Sequence, residues 1–210
     1  MLITLEGVEG AGKTTALDVV TEQLRRHGLQ VRVTREPGGT GMGESLRELL
    51  LHHSEAGLSP DTETLLLFAA RAEHLEQVVR PALAAGETVV CDRFTDATYA
   101  YQGAGRGVGS DRVAVLEDWV QGALRPDLTL MLDVPVDQGR ARAGRRSAPD
   151  RFEREQDPFF ERVRKAYLDR AAAEPERIRV VDASGSAEAV ASALGTTIDA
   201  WLAERAGQDW

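Results

Sequence analysis

The sequence predicts an α/β fold with a parallel sheet, and two observations lead to this prediction. Short runs rich in β-branched residues alternate along the chain with longer segments of helical periodicity, a pattern typical of strand–helix–strand units. The short runs are mostly apolar at consecutive positions, which favours strands buried on both faces, as in a parallel sheet covered by helices.

The predicted elements follow one another without an internal repeat or a low-complexity linker. The candidate strands occupy residues 2–6, 30–34, 88–91, 128–133 and 177–181. The candidate helices occupy residues 13–27, 45–52, 61–85, 111–122, 136–143, 158–173 and 187–205. Gly28 suits the C-cap of the first helix, and Pro81 lies inside the third, where its missing N–H favours a kink. Trp201 recurs at helical spacing with apolar neighbours, so we expect it in the core.

Composition narrows the class of protein. The chain has 210 residues, of which 42% are hydrophobic, so one domain spanning residues 1–210 is the simplest expectation. A formal net charge of −9 disfavours general nucleic-acid binding. No apolar run approaches the roughly 18 residues of a membrane span, and residues 2–6 indicate a strand and not a signal peptide. Cys91 is the only cysteine, which excludes an internal disulfide and favours a cytoplasmic location.

A glycine-rich loop carries the most specific signal. Residues 7–14 match the phosphate-binding pattern G-x-x-x-x-G-K-[ST], in which backbone N–H groups and the following helix N-terminus surround phosphate oxygens. Lys13 would reach the outer phosphates of ATP, and the Thr14 hydroxyl would ligate Mg²⁺. The predicted contacts with ATP come from consecutive residues, Gly7, Val8, Glu9, Gly10, Ala11, Gly12, Lys13, Thr14 and Thr15.

This loop alone does not select a reaction, because GTPases, motor ATPases, partitioning proteins and kinases all have one. GTPases usually read guanine with an N-K-x-D segment, and this chain contains no asparagine. The choice of reaction therefore depends on three further segments.

The first segment, residues 34–40, follows the second predicted strand. Pro37 and the adjacent glycines favour a tight loop at the carboxyl edge of the sheet, where ligands of open α/β sheets bind. Arg35 could face a phosphate there, or it could be a solvated surface arginine.

The second segment begins with Asp92 and Arg93, directly after the third predicted strand. Asp92 occupies the place of a carboxylate that organises Mg²⁺, with Asp133 as the alternative because it also ends an apolar run. Arg93 could clamp an acceptor phosphate bidentately. The aromatic, amide and arginine side chains that continue to residue 107 suit a base and its phosphate, or an ordinary polar turn.

The third segment, residues 140–154, is rich in arginine. Its basic residues are Arg140, Arg142, Arg145, Arg146, Arg151 and Arg154. The stretch could be a solvated face, although such a face more often alternates basic with acidic residues. The alternative is a lid that closes over ATP and brings guanidinium charge to the transferred phosphoryl group.

With these segments together, the chain resembles the thymidylate kinases over nearly its whole length. The resemblance rests on residues 7–15, 34–40, 65–74, 92–107 and the basic stretch that ends at residue 153. Because Glu9, and not an arginine, stands near the middle of the loop, the chain is similar to the bacterial subgroup whose lid supplies the arginines. The resemblance implies a P-loop nucleoside-monophosphate kinase fold, a five-stranded parallel sheet of order 2-3-1-4-5, a homodimer, and transfer of the γ-phosphoryl of ATP to dTMP for dTTP synthesis.

The resemblance also implies roles for single residues around the acceptor. Glu9 would approach the acceptor sugar or a Mg²⁺-bound water, Phe68 would stack on the thymine, and Arg71 would hydrogen-bond or cover the base. Arg93, with Arg35, would hold the dTMP phosphate. Further acceptor contacts are expected from Pro37, Thr98, Tyr101 and Gln102. Charge at the transferred group is expected from Lys13, Arg93, Arg142, Arg145, Arg146 and Arg151.

Two positions depart from the family pattern. Phe68 and Arg71 are three residues apart, where the family usually has four, so Leu67 is the alternative stacking residue. Ala97 stands where the family usually has serine.

The expected chemistry needs no general base, since a phosphate acceptor is already anionic and the task is alignment and neutralisation. No motif surrounds the histidines, which are His27, His52, His53 and His74. Two alternatives stay open. A kinase of another nucleoside or monophosphate could use Glu9 or Asp92 as a base, and a nucleotide-switched binding ATPase would hydrolyse ATP without phosphotransfer.

Overall fold

A computed structural model describes residues 1–52, 57–144 and 151–206, and its sheet has five parallel strands. The strands are β1 (Leu2–Glu6), β2 (Val31–Arg35), β3 (Thr88–Asp92), β4 (Leu128–Asp133) and β5 (Ile178–Asp182). Their spatial order is β2-β3-β1-β4-β5, which confirms the expected order 2-3-1-4-5. Each strand lies within one residue of its predicted bounds.

Helices connect the strands. They are α1 (Lys13–Arg26), α2 (Gly41–His52), α3 (Pro60–His74), α4 (Arg80–Ala84), α5 (Thr95–Thr98), α6 (Ser110–Gln121), α7 (Val136–Ala143), α8 (Asp157–Ala173) and α9 (Ala187–Ala206). Two wider, π-helical segments occur as well, Leu75–Val79 between α3 and α4, and Tyr99–Gly105 after α5.

Three helical predictions need correction. Helix α2 starts at Gly41 and not at residue 45, because Thr40 Oγ1 accepts a hydrogen bond from Gly43 N at 2.9 Å and caps a turn that contains two glycines. The single helix predicted over residues 61–85 contains the π-helical segment just before Pro81. Proline cannot donate the usual bond to the carbonyl four residues earlier, which favours this irregularity. No helix was expected in residues 95–105, which are helical throughout.

The core lies on both faces of the sheet. Every residue of β1 is buried, and β1 pairs with β3 on one side and β4 on the other. Along β3, Val90 belongs to the apolar cluster shared with α1, α8 and α9, whereas Val89 and Cys91 belong to the cluster shared with the Leu75–Val79 segment and α4. This alternation follows from the two-residue repeat of a strand. Trp201 is 5% exposed, as expected of a core residue.

The register between β1 and β3 places the segments that follow these two strands next to each other, at the carboxyl edge of the sheet. Leu5 pairs with Asp92, and Arg93 N donates to Leu5 O at 2.9 Å. The glycine loop after β1 and the polar segment after β3 therefore leave the sheet side by side. Among the described residues, we find no helix of the length and apolarity that a bilayer crossing demands.

Candidate active site

The glycine loop between β1 and α1 is closed around the amine of Lys13. Lys13 Nζ donates to the carbonyl oxygens of Gly7 at 3.0 Å and Val8 at 3.1 Å. Burial, followed by the nearby positive charge of Arg93, lowers the pKa of Lys13 to about 8. The loop thus holds a partly buried cation at the N-terminal end of a helix, where an anion would be stabilised.

The loop also packs closely against helix α7. A Cβ on Gly10 would lie 1.9 Å from Gly139 O, and a Cβ on Gly139 would lie 2.7 Å from Glu9 O. Gly10 has a φ of 74°, which other residues rarely adopt. Helix α7 therefore acts as a wall that fixes the loop backbone from outside.

A cavity of about 320 Å³ opens beside the loop at the carboxyl edge of the sheet. Its walls come from the glycine loop, the ends of β2 and β3, helices α2 and α3, and the Tyr99–Gly105 segment. The polar and charged residues at its surface are Glu9, Lys13, Thr14, Glu36, Arg47, Arg71, Asp92, Arg93, Thr98, Tyr101, Gln102 and Glu153. The apolar ones include Pro37, Leu51, Leu67, Phe94, Ala97 and Phe152.

Arg93 lies between the loop and this cavity in an unusual backbone conformation. Its φ is 68°, which is uncommon for a residue with a side chain. The guanidinium donates from Nη2 to Glu9 Oε1 at 2.8 Å and lies 4.8 Å from the centre of the Tyr101 ring. Tyr101 donates in turn to Glu9 Oε2 at 2.7 Å. The Glu9 carboxylate thus receives two donors, both from the segment that follows β3.

Arg71 presents a second guanidinium to the cavity from α3. Its charge lies between two aromatic rings, 4.8 Å from the centre of Phe68 and 5.1 Å from that of Phe94. Its Nε donates to Glu36 Oε2 at 2.7 Å and its Nη2 to Thr98 Oγ1 at 3.0 Å. Nη1 is buried and has no hydrogen-bond partner. A buried donor of this kind is costly unless a ligand accepts from it.

Asp92 and Asp133, the two candidates for a metal-organising carboxylate, have different surroundings. Asp133 accepts from Arg164 through both oxygens, at 2.7 and 2.9 Å. Asp92 lines the cavity together with Lys13 and Thr14, and its Oδ1 is buried without a hydrogen-bond partner. The free acceptor of Asp92 therefore suits a cation, or its water shell, better than Asp133 does.

The structure brings most of the predicted acceptor residues together, with two exceptions. Glu9, Pro37, Arg71, Arg93, Thr98, Tyr101 and Gln102 all line the cavity. Phe68 does not, because its ring is 2% exposed and packs with Tyr99 and Val113 beneath Arg71. Its neighbour Leu67, the alternative stacking residue, does line the cavity. Arg35 is also absent from the lining, and its half-exposed side chain donates to Glu44 Oε2 at 2.7 Å.

Residues without a sequence signal complete this site. Arg47 lines the cavity from α2 and donates to Pro37 O at 3.0 Å. Glu36 is 5% exposed and accepts from Arg71. His74, which no motif identified, is fully buried next to Glu36. A helical spacing of three residues places Arg71 and His74 on one face of α3, which is the signal that could have linked them.

A second cavity of about 240 Å³ lies on the other side of the glycine loop. Gly10 lines both cavities. Arg142 lines the second one and donates to the carbonyl oxygens of Ala183 at 2.7 Å and Ser184 at 3.0 Å. The rest of the wall comes from the glycine loop, the first turns of α1, the loop after β5, and small or apolar residues of α9. Such a mainly apolar slot beside a phosphate loop suits a flat base.

The described arginines of the basic stretch already have protein partners. Arg140 lies 2.6 Å from Asp157. Arg151 lies 2.6 Å from the buried carboxylate of Glu63 and donates to Leu50 O at 2.9 Å. Arg145 and Arg146 lie outside the described residues, so the structure does not place them.

A buried carboxyl group supports the segment that carries Arg93. Glu6 Oε1 accepts from Phe94 N at 2.7 Å and from Ala97 N at 3.3 Å, and Tyr167 donates to Oε2 at 2.7 Å. Burial, followed by the negative charge of Asp96, raises the pKa of Glu6 to about 8. Glu6 therefore ties the end of β1 to the start of α5 without facing the cavity.

Comparison with known proteins gives one consistent family. A family model described as thymidylate kinase matches residues 5–194. The thymidylate kinase of Alkalilimnicola ehrlichii is 60% identical over 205 residues, which cover 95% of this chain and 94% of that protein. The thymidylate kinase of Pseudomonas putida is 61% identical over 190 residues, 90% of each chain. The crystal structure of thymidylate kinase from Ehrlichia chaffeensis matches with a TM-score of 0.75 at 33% identity, covering 96% of this chain and 98% of that one.

Proposed function

Since this chain belongs to the thymidylate kinase family, we infer that it transfers the γ-phosphoryl group of ATP to dTMP, giving dTDP for dTTP synthesis. One observation carries the assignment to the site. Two cavities meet at Gly10 of the phosphate loop, and only the larger one contains the cations Arg71 and Arg93. A donor and an anionic acceptor can therefore approach the same loop from opposite sides.

The larger cavity is the proposed dTMP site. Arg93 would exchange part of its pairing with Glu9 for the acceptor phosphate, because a guanidinium can bind two phosphate oxygens at once. The unpaired Nη1 of Arg71 would donate to an exocyclic oxygen of the base. Leu67 would lie against the base, and Thr98, Tyr101 and Gln102 would complete the pocket. Arg35 would reach the phosphate only by leaving Glu44.

The smaller cavity is the proposed site of the adenine base. ATP would extend from this cavity along the glycine loop, with its phosphates on backbone N–H groups and the Lys13 amine. Arg142, held by the carbonyl oxygens of the loop after β5, would cover the base. Arg142 is therefore proposed as an ATP-binding residue, in place of the phosphoryl-stabilising role expected from its sequence position.

The residues present fit a magnesium ion. Thr14 offers a hydroxyl and Asp92 a free buried oxygen at the cavity wall, and Mg²⁺ in kinases takes its other ligands from phosphates and water. When bound, the ion would neutralise charge between the donor and acceptor phosphates.

The protein's own side chains would align the two phosphates and offset the repulsion between their charges. The acceptor phosphate is already anionic, so no proton has to be removed before attack. Lys13 and Arg93 would hold the two reacting phosphates and offset their repulsion. Glu9 would keep Arg93 oriented until the acceptor arrives, and it would lie near the acceptor sugar or a metal-bound water.

Two other expectations stay predictions. A lid over residues 140–154, within one domain of residues 1–210, would place Arg145 and Arg146 at the transferred phosphoryl group, but both lie outside the described residues. A cytoplasmic location is supported by the single, buried Cys91, because reduced thiols persist in that compartment.

We propose a homodimer that forms through α3 and α6. Trp119 is 81% exposed and Val115 is 68% exposed, and they lie four residues apart on one face of α6. Leu65 on the neighbouring α3 is 54% exposed. Large apolar side chains grouped at the surface commonly mark an interface between chains, and a second copy of this chain would bury all three.

A coupled assay across acceptors tests the assignment. The wild-type protein, with ATP and Mg²⁺, should phosphorylate dTMP faster than dUMP, thymidine and the other monophosphates. Lys13→Ala should abolish transfer while circular dichroism shows an intact fold, because the loop backbone remains. Preference for a nucleoside would favour a different kinase, and slow ATP hydrolysis without phosphotransfer would favour a nucleotide-switched ATPase.

A further inference from the structure

A chain of buried hydrogen bonds runs from the edge of β2 to Arg71. His74 Nε2 is 2.7 Å from Thr34 Oγ1, and His74 Nδ1 is 2.9 Å from Glu36 Oε1. The other oxygen of Glu36 accepts from Arg71 Nε at 2.7 Å. Arg71 and Glu36 are at most 5% exposed and His74 is fully buried. These three side chains are therefore shielded from water, whereas Thr34 at the end of the chain is partly buried.

The imidazole occupies a place shaped for it. A Cβ on Gly39 would lie 2.8 Å from His74 Cδ2 and 2.8 Å from Thr34 Oγ1. Gly39 has a φ of 80°, a conformation that glycine adopts readily. Gly39, predicted from the sequence only as part of a tight loop, therefore also makes room for His74.

The direction of the bonds follows from the chemistry of the groups. A carboxylate only accepts hydrogen bonds, so the Nδ1–H group of His74 is the donor in the bond to Glu36. Glu36 then has one oxygen for the imidazole and one for Arg71. Without the imidazole, the Oε1 side of a buried carboxylate would lack this donor, and the carboxylate could rotate away from Arg71.

We propose that His74 is a positioning residue for acceptor recognition, which acts by holding Glu36 so that Arg71 Nη1 faces the acceptor base. The inference rests on the proposed dTMP site. Arg71 Nη2 already donates to Thr98 and Nε to Glu36, whereas Nη1 has no hydrogen-bond partner and is available to a ligand. His74 itself touches no substrate, because it does not line the cavity.

Two variants with the same number and branching of side-chain heavy atoms separate positioning from packing. His74→Leu removes both hydrogen bonds, whereas His74→Asn keeps an amide N–H near the place of Nδ1. Calorimetry on the full chain should show that His74→Leu weakens dTMP binding roughly tenfold, and that His74→Asn stays within about threefold of wild type. The KM for ATP should be unchanged in both. Equal weakening by Leu and Asn, or an equal rise in the KM for ATP, would assign His74 a packing role and overturn the proposal.

A double-mutant cycle tests whether His74 acts through Arg71. In an Arg71→Met background, His74→Leu should change the dTMP affinity by less than about twofold, because the group it positions is gone. An undiminished effect would overturn the proposal. If His74→Leu does not fold, Thr34→Val takes its place and should weaken dTMP binding about threefold; an unchanged affinity would again overturn it. Absence of dTMP binding by the wild type would instead refute the proposed function itself.

Discussion

Arg93 and Glu9, which are 84 residues apart in the chain, form an ion pair of 2.8 Å at the mouth of the acceptor cavity. One residue belongs to the phosphate loop and the other follows β3. Their side chains are 20% and 12% exposed, so an incoming phosphate can reach the pair. The loop that binds the donor thus also contacts the cation proposed to bind the acceptor.

Replacing Arg93 with lysine should impair use of dTMP specifically. Lysine keeps the charge but loses the planar pair of donors that binds two oxygens. We expect kcat/KM for dTMP to fall about a hundredfold while the KM for ATP changes little, measured by a coupled assay. Arg32→Lys is the matched control, since Arg32 likewise pairs with a carboxylate, donating twice to Glu87, but on the exposed edge of β2. Equal losses in both variants would speak against an acceptor role for Arg93.

Replacing Gly139 with alanine should disturb ATP binding from outside the loop. The new Cβ would lie 2.7 Å from Glu9 O, so the loop backbone has to move. Because small displacements of positioned groups are costly, the KM for ATP should rise by roughly tenfold to a hundredfold. Gly195→Ala in α9, whose Cβ would lie 3.9 Å from its nearest neighbour, should behave as wild type. A normal KM for ATP in Gly139→Ala would show that the contact is not needed.

Replacing Glu6 with glutamine should change how stability depends on pH. The pKa of Glu6 rises from 4.5 to about 8 on folding, so the folded state holds the extra proton between these values. The contribution of this proton to the free energy of unfolding is complete below pH 4.5 and is lost as pH rises towards 8. Glutamine cannot ionise, so Glu6→Gln should not lose stability in this way. The Tm of Glu6→Gln minus that of wild type should therefore increase by several degrees between pH 5 and pH 8, at about 2–4 °C for each kcal/mol of unfolding free energy.

The pH range of that experiment avoids an opposing effect from Lys13. Its pKa falls from 10.5 to about 8 on folding, so the unfolded state binds more protons between these values and stability rises with pH only above about 8. Glu22→Gln, at a largely exposed position of α1, should follow the wild-type profile. A difference in Tm for Glu6→Gln that does not vary with pH would contradict the expected titration.

Replacing Trp119 with glutamate should dissociate the proposed dimer. A charge buried in an apolar interface without a partner is strongly unfavourable. Light scattering coupled to gel filtration should give the mass of a dimer for the wild type and a monomer for Trp119→Glu. Val180→Glu changes a 47% exposed residue of β5 and should leave the dimer intact. A monomeric wild type would refute the dimer, and a dimeric Trp119→Glu would place the interface elsewhere.

The acceptor site was predictable where its residues lie close together in sequence. Residues 92–102 contribute Asp92, Arg93, Thr98, Tyr101 and Gln102 to one cavity wall, because a strand end and one helical turn bring them together. Arg35 does not line the cavity, since Glu44, nine residues later, accepts a hydrogen bond from it at the surface. Phe68 and Leu67 differ by one position on α3, and only the packing of the helix decides which of them faces the ligand.

The sequence by itself determined the phosphate loop, the five strands and the family, because these depend on short-range patterns of burial, turns and glycine spacing. The tertiary structure alone decided which side chains meet across long separations. Glu36 accepts a hydrogen bond from Arg71, which is 35 residues away in the sequence, and His74 is hydrogen-bonded to Thr34, which is 40 residues away. Such pairs form only when the fold has packed α3 against the parallel strands. The partner of a buried polar group is then whichever donor or acceptor the fold places within about 3 Å of it.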